Sequence, residues 1–441
     1  MELNILTSQK QQLISEVDDY LKRLFPITRS ITGDGNRETL RILQELIQLE
    51  IKEYPSGTEV YDWTIPDEWN VKDAWIKDAN GNKLVDLKQS NIHLVSYSET
   101  VHKKITFQEL KERLHTHPDL PDAIPYRTTY YKRDWGFSVT HKQYLALENA
   151  IGLLEVKIDS SFKSDGGLSI GEMLIPGISK KEILISTYIC HPSLANDNLS
   201  GALMTAFLAR YLLKQKNNWS YRIVWIPETI GAIAYCAMNE SVVKNIDMGL
   251  VITTVGGPGS LGYKQSWQSD HPINKIVEEV LSKDEKEFFT YPFDIHGSDE
   301  RQYSSQGFRI NMATISKDHY YEYPQYHTSL DNLSFVNGKQ IVETLGIYTK
   351  VIKKIEERCI YRKIIPNCEV MLSKHDLYPK HGGMFKPDVN GYTELDTIMW
   401  FLFYCDGQLT VNEIANKINV DAGLIEKVRQ LLESRKVIER I

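Results

Sequence analysis

Residues Glu182 to Tyr211 read EILISTYICHPSLANDNLSGALMTAFLARY, and this stretch decides the fold. Ile183 to Cys190 is an apolar, β-branched run without polar alternation, as expected of a strand buried on both faces and central in a sheet. The run breaks at His191-Pro192, crosses the polar turn Ala195 to Asn198, and resumes from Leu199 with Leu203, Phe207, Leu208, Tyr211 and Leu212 at helical spacing. In open α/β sheets ligands bind beyond the carboxyl ends of the strands, so this loop, with His191 and Asp197, is the expected site. Taken singly, each residue also keeps a structural reading: a strand-end histidine in a hydrogen-bond network, and an aspartate or Asn198 capping the helix near Leu199.

The chain on either side repeats the pattern. LLEVKID, LSIGEMLIP, YRIVWIPE, GLVITTVGG and FRINMATIS read as strands, with helices TIGAIAYCAMNE, INKIVEEVLSKD and a long closing helix in FVNGKQIVETLGIYTKVIKKIEERC. Ahead of them, ISEVDDYLKRLF and RETLRILQELIQL predict two amphipathic helices. The loop between them, with Arg29 and Arg37, reads as a helix cap or a substrate contact. From about Glu50 the chain turns strand-like, and through about Lys142 it is rich in aromatics, β-branched residues and turn dipeptides, which predicts an inserted β-rich subdomain. Its last part gathers Tyr126, Tyr130, Tyr131, Trp135 and Phe137 with Arg127 and Arg133, either as core or as a substrate-facing wall.

After Cys368 a turn-rich linker leads to TELDTIMWFLFYC, TVNEIANKI and AGLIEKVRQLLESR, three helices with Thr410 as an N-cap, and to the strand VIERI. That order is a winged-helix pattern. Its charge balance is acidic, the second and third helices lack a basic face, and the chain ends where a wing hairpin needs another strand, so DNA binding is not expected. The expected domains are 1–57 and 149–370 for the core, 58–148 for the insert and 371–441 for the winged-helix-like part. The apolar face Met399, Trp400, Phe403 and Tyr404 leaves open a homo-oligomer through this last part.

With 441 residues and 42% hydrophobic content the chain can bury a large core, and a net charge of −7 gives no footprint for nucleic acid or an anionic membrane. Five scattered cysteines suit buried thiols in a reducing compartment. No stretch approaches a signal peptide or a membrane span, and a cytoplasmic setting is expected.

Four stretches, ICHPSLANDN, WIPETIG, ITTVGGPG and PQYHTSLDN, are expected at the carboxyl edge of the sheet. His191, Asp197 and His327 then supply two imidazoles and a carboxylate, a donor set suited to Zn²⁺ with a fourth position left for water or substrate. Glu228, at the end of a buried strand, is the candidate general base.

The order of ICHPSLANDNLSG, PETIG, GSDERQYSSQGF and YHTSLDN resembles the zinc-dependent aminopeptidase family that includes aminopeptidase Y and glutamate carboxypeptidase. The insert and acidic tail look like a group of bacterial aminopeptidase-like proteins met near polysaccharide-biosynthesis functions. The resemblance implies a three-layer α/β/α mixed-sheet exopeptidase core with the inserted subdomain and the winged-helix-like domain. It makes His191 the first metal ligand, Asp197 the metal-bridging aspartate, His327 the last ligand, Glu228 the general base and Tyr326 the hydrogen-bond donor to the tetrahedral intermediate. Arg127, Tyr131 and Asp299 are the expected substrate contacts. Three carboxylates of the pattern are absent, replaced by Ser193, Thr229 and Thr253, so one Zn²⁺ is expected over two. The implied reaction is hydrolysis of a peptide or an N-acyl, amino-sugar-like small substrate. Alternatives are a catalytically silent metal-binding relative, an amidase or deacylase on sugar-linked substrates, and a glutaminyl-cyclase-like aminoacyl cyclisation with one zinc.

Overall fold

The computed structural model describes residues 7–284, 287–358, 360–378 and 394–441. Its chain contacts divide into two compact units: residues up to 175, 182–216 and 221–351 in one, and 176–181, 217–220 and 352–441 in the other.

The first unit is built on an eight-stranded mixed sheet. In spatial order its strands are Glu50–Pro55, Gly167–Ile175, Ser220–Ile226, Glu182–Tyr188, Ile246–Val251, Asn311–Lys317, Leu261–Lys264 and Phe288–Tyr291. The three strands Glu182–Tyr188, Ile246–Val251 and Asn311–Lys317 run parallel, which requires crossover connections, and the helices Gly201–Leu212, Ile230–Met238 and Pro272–Lys283 lie in the intervening chain. Ile183, Leu184 and Ile185 are completely buried, as their unbroken apolar run predicts. Parallel strands deliver their carboxyl ends to one edge, and the loops that follow them meet there.

The insert folds on a four-stranded antiparallel sheet, in the order Lys83–Asp86, Glu68–Lys77, Leu154–Lys163 and Val101–Ile105. Leu154–Lys163, placed by its position after residue 148 with the core, therefore pairs with insert strands. Alternating burial of Leu154, Val156 and Ile158 gives it one face against the insert's apolar side. The second helix also differs from expectation. It runs only from Asp34 to Leu43, because the chain then tightens, with the Leu46 and Ile47 N–H groups returning to Leu43 O.

In the second unit, helices Glu394–Tyr404, Val411–Ile418 and Ala422–Ser434 enclose Phe401, Ile414, Ile425, Val428 and Leu432. Thr410 caps the middle helix, and Glu413 returns the bond to complete a capping box. The further strand that the wing needs comes from upstream. Ile360–Lys363 lies between Asp406–Thr410 and Ile438–Arg440, antiparallel to both, although the expected boundary at 371 assigned it to the core. No described helix is long and apolar enough to cross a membrane.

Candidate metal and catalytic site

His191 follows the central strand Glu182–Tyr188 and is buried, with 6% exposure. Its carbonyl accepts Arg29 Nε at 2.9 Å, and Arg29 Nη1 reaches Leu24 O at 2.6 Å. The loop carrying Arg29 thus braces the histidine, and its Gly33 stands at the N-cap of the second helix without a side-chain cap bond. Burial pushes the His191 imidazole down to about 4, with Asp197 opposing, so the ring is neutral at pH 7 and keeps a lone pair for a ligand. Asp197 lies in the loop before helix Gly201–Leu212, where the backbone is irregular and the Asp197–Asn198 peptide is cis. Asp331, from the segment SLDN, accepts the Asn196 and Asp197 N–H groups at 2.6 and 2.9 Å and fixes that loop.

The two oxygens of Asp197 have different neighbours. Oδ1 accepts the Tyr188 hydroxyl, which is 2.7 Å from Thr253 Oγ1. Oδ2 is buried without an aligned hydrogen-bond donor, and His327 Nε2 approaches it at 3.0 Å. Burial alone would raise this carboxyl, but His191, His327 and Tyr188 hold it down at about 2. His191, Asp197 and His327 each bring a ligand atom into a cluster whose members lie within 4.8 Å of one another. A tetrahedral ion with ligands at ~2.0–2.1 Å holds them roughly 3.3 Å apart, so small side-chain rotations close the set. The orphaned Oδ2, the neutral His191 and the N/O donor set all fit Zn²⁺. Cys190, His191 and Glu228 form a second such cluster. It fits less well, because burial holds the Cys190 thiol far above its ordinary value and its sulfur already takes the Glu228 N–H at 3.2 Å.

Glu228 stands beside the first cluster, with Oε2 3.9 Å from His191 Nε2. Burial, followed by the charges of Asp299 and Asp197, raises its carboxyl well above the ordinary range, while 27% of the side chain remains exposed. The next residue, Thr229, has φ 64° and ψ −76°, and the Ile230 N–H closes back on Glu228 O at 2.8 Å. This is a γ-turn of the rare, strained hand. Asp299 secures it by accepting the Thr229 N–H at 2.7 Å. Asp299, expected as a substrate contact, is 1% exposed and supports the turn after Glu228. Burial and the charge of Glu300 raise its carboxyl to about 7.

Tyr326 stacks on the His327 ring at 4.0 Å and is partly exposed. Of the insert's aromatic run, Tyr126 reaches the site. It is buried, its ring centroid lies 5.1 Å from that of His191 and 5.5 Å from that of His327, and its N–H donates to His327 O at 2.7 Å. Trp135 turns instead toward Lys103 and Arg113. Arg127 is exposed, with Nη1 on its neighbour's carbonyl, and Tyr131 is half exposed. Ser193, at the position of a lost carboxylate, donates to Phe25 O at 2.7 Å. Sequence reasoning left Arg29 and Tyr126 among open alternatives and missed Asp331 as a site residue. The last had a signal, since it lies in the same short segment as His327.

Residues 18–358 match the family model described as Domain of unknown function (DUF4910), and 359–440 match a winged helix-turn-helix model. The chain belongs to the DUF4910 family. A Clostridium acetobutylicum relative, provisionally named a polysaccharide biosynthesis protein with aminopeptidase-like domain, is 42% identical over 420 residues, 95% of each chain. A crystal structure from the same organism, provisionally named a peptidase, superposes with a TM-score of 0.79 at 40% identity, covering 98% of each chain. BSAP, a zinc aminopeptidase from Bacillus subtilis, superposes with a TM-score of 0.57 at 11% identity, over 78% of this chain and 95% of its own. That likeness is one of fold: this family's core is an aminopeptidase-type mixed α/β sheet.

Proposed function

We propose that this DUF4910 protein is a metal-dependent amide hydrolase of aminopeptidase type, holding one Zn²⁺ on His191, Asp197 and His327. The observation that carries the reading is the meeting of those three ligand atoms beside Glu228, a carboxyl raised by its surroundings. Bound there, Zn²⁺ would polarise a substrate carbonyl and lower the pKa of a water to about 7. Glu228 takes a proton from the attacking water and delivers it to the leaving amine, typically a contribution of ~10²–10⁴ in rate. Its raised proton affinity suits a group that must hold a proton between those two steps. Tyr326 donates to the developing oxyanion. Tyr126 packs against both histidines and limits water around them.

One ion is favoured over two because Asp197 Oδ1, the oxygen left for a second ion, is occupied by the Tyr188 hydroxyl, and Thr253 and Thr229 bring no carboxylate. The provisional polysaccharide-biosynthesis name of the Clostridium relative brings amides carried on sugars into the candidate substrates beside peptides. The test is hydrolysis of a panel of peptides and N-acyl amino sugars by the full chain and by Glu228→Gln. The variant is expected to keep its metal and lose ~10²-fold or more in kcat/KM, because the amide is nearly isosteric yet takes up no proton. Equal activity of both proteins would remove Glu228 as the base, and a wild-type protein inert to the whole panel would favour the silent relative.

A further inference from the structure

Three exposed tyrosines occupy backbone positions that ordinarily belong to glycine. Tyr61, 56% exposed with φ 59°, is the first residue of the two-residue turn between Val60 and Trp63, where a type II′ hairpin takes glycine. Tyr131, 49% exposed with φ 66°, is third in a turn closed by the Lys132 N–H on Thr129 O at 3.2 Å. Tyr321, 67% exposed with φ 66°, is third in a turn closed by the Glu322 N–H on His319 O at 3.1 Å. Positive φ is costly for a bulky residue, and an exposed ring returns little burial energy to offset it. Strain of this kind persists where it presents a side chain for use.

Two aromatic runs lead from Tyr131 and Tyr321 to His327. One passes from Tyr131 to Tyr130 at 6.3 Å, from the Tyr130 hydroxyl to that of Tyr126 at 2.9 Å, and from Tyr126 to His327 at 5.5 Å. The other passes from Tyr321 to Tyr326 at 5.0 Å and on to His327 at 4.0 Å. At the outer end of the first, Trp63, 38% exposed, meets Tyr131 at 5.3 Å with the rings 75° apart. The same two loops are tied again by the ion pair Arg133–Asp67 at 2.5 Å, with 47% and 34% of those side chains exposed. The Trp63 indole N–H and the Tyr131 hydroxyl have no hydrogen-bond partner among the described residues.

An apolar amino-acid side chain is best held in a closed, dry pocket. Here the rings are open and edged by unpaired donors, a carboxylate and a guanidinium. That combination suits a pyranose, which offers a face of C–H groups to an aromatic ring and a rim of hydroxyls to polar neighbours. We propose that Trp63 and Tyr131 form a sugar-ring subsite of the hydrolase site, so that the amide it cleaves is the N-acyl group of an amino sugar. This rests on the amide-hydrolase reading, and the platform's double tie, by ring contact and ion pair, makes it preorganised.

The test is direct binding of tri-N-acetylchitotriose to the full chain, by saturation-transfer NMR and calorimetry, with trialanine as the comparison. The saccharide is expected to bind, with ring protons saturated. Trp63→Ala and Tyr131→Ala are each expected to weaken it roughly tenfold, and Trp63→Phe to retain most of the affinity. Thermal midpoints of the variants confirm their fold. Absence of saccharide binding, or affinity unchanged in both alanine variants, overturns the subsite. Saccharide binding without any amide hydrolysis sustains the platform and overturns the hydrolase reading, whereas peptide hydrolysis without saccharide binding does the reverse.

Discussion

Asp299 holds Thr229 in a strained γ-turn, its Oδ1 accepting the Thr229 N–H at 2.7 Å, and the residue on the other side of that turn is Glu228. The family resemblance expects a second glutamate at 229. Here the threonine contributes backbone geometry, and Asp299, from a distant segment, fixes the turn that follows Glu228.

The consequence is a contrast between two substitutions. Asp299→Asn keeps an oxygen for the Thr229 N–H, whereas Asp299→Ala lets the turn open and Glu228 move. Hydrolysis by the alanine variant is expected to fall about tenfold or more below wild type, since misplacing a proton-transfer group is costly. The asparagine variant should stay several-fold above it. Equal activity of the two variants would show that the anchor does not position the base.

Acid stability should depend on Glu172, a buried residue of the strand Gly167–Ile175. Burial raises its carboxyl, but Lys52, the Tyr235 hydroxyl at 2.5 Å and Arg222 more than offset this and leave it below its ordinary value of 4.5. A carboxyl lowered on folding stabilises the fold fully above its unfolded pKa, and that contribution disappears as pH falls through the folded value. Glu172→Gln should therefore show a lower urea midpoint than wild type at neutral pH, and the gap should close in acid. A gap that stays constant from pH 7 to about 3 would contradict this linkage.

The winged-helix unit is expected not to bind DNA. In its last helix, Ala422–Ser434, Arg429 is paired with Glu426 and Glu433, and Lys427 lies 2.7 Å from Glu394. A recognition helix whose cations are already paired offers little to a phosphate backbone. The exposed Met399, Trp400 and Phe403 add an apolar face that phosphates do not select. The full chain should leave a duplex unshifted in gel retardation even at about 50 mM salt, and binding that weakens steeply with salt would contradict the expectation.

The sequence made the central strands legible because a run such as ILISTYIC, buried on both faces, has few other interpretations. The loops carrying His191, Asp197, Glu228 and His327 could be placed at one edge for the same reason, since parallel strands deliver their ends together. Strand membership was harder. Leu154–Lys163 and Ile360–Lys363 look like ordinary strands, and only tertiary pairing decides which sheet receives them. The supports of the site were also hidden. Arg29 acts through a carbonyl, Asp331 through two backbone N–H groups and Thr229 through its φ, none of which leaves a pattern in residue types. Tyr126 was one aromatic among several until its contact with both histidines singled it out.

The central claim is a single metal held by His191, Asp197 and His327, and metal analysis of the full chain purified without chelators tests it most directly. The account predicts about one equivalent of zinc per chain, retained in Glu228→Gln and lost in His191→Ala and His327→Ala. Two equivalents per chain, or zinc that persists in both histidine variants, would contradict it.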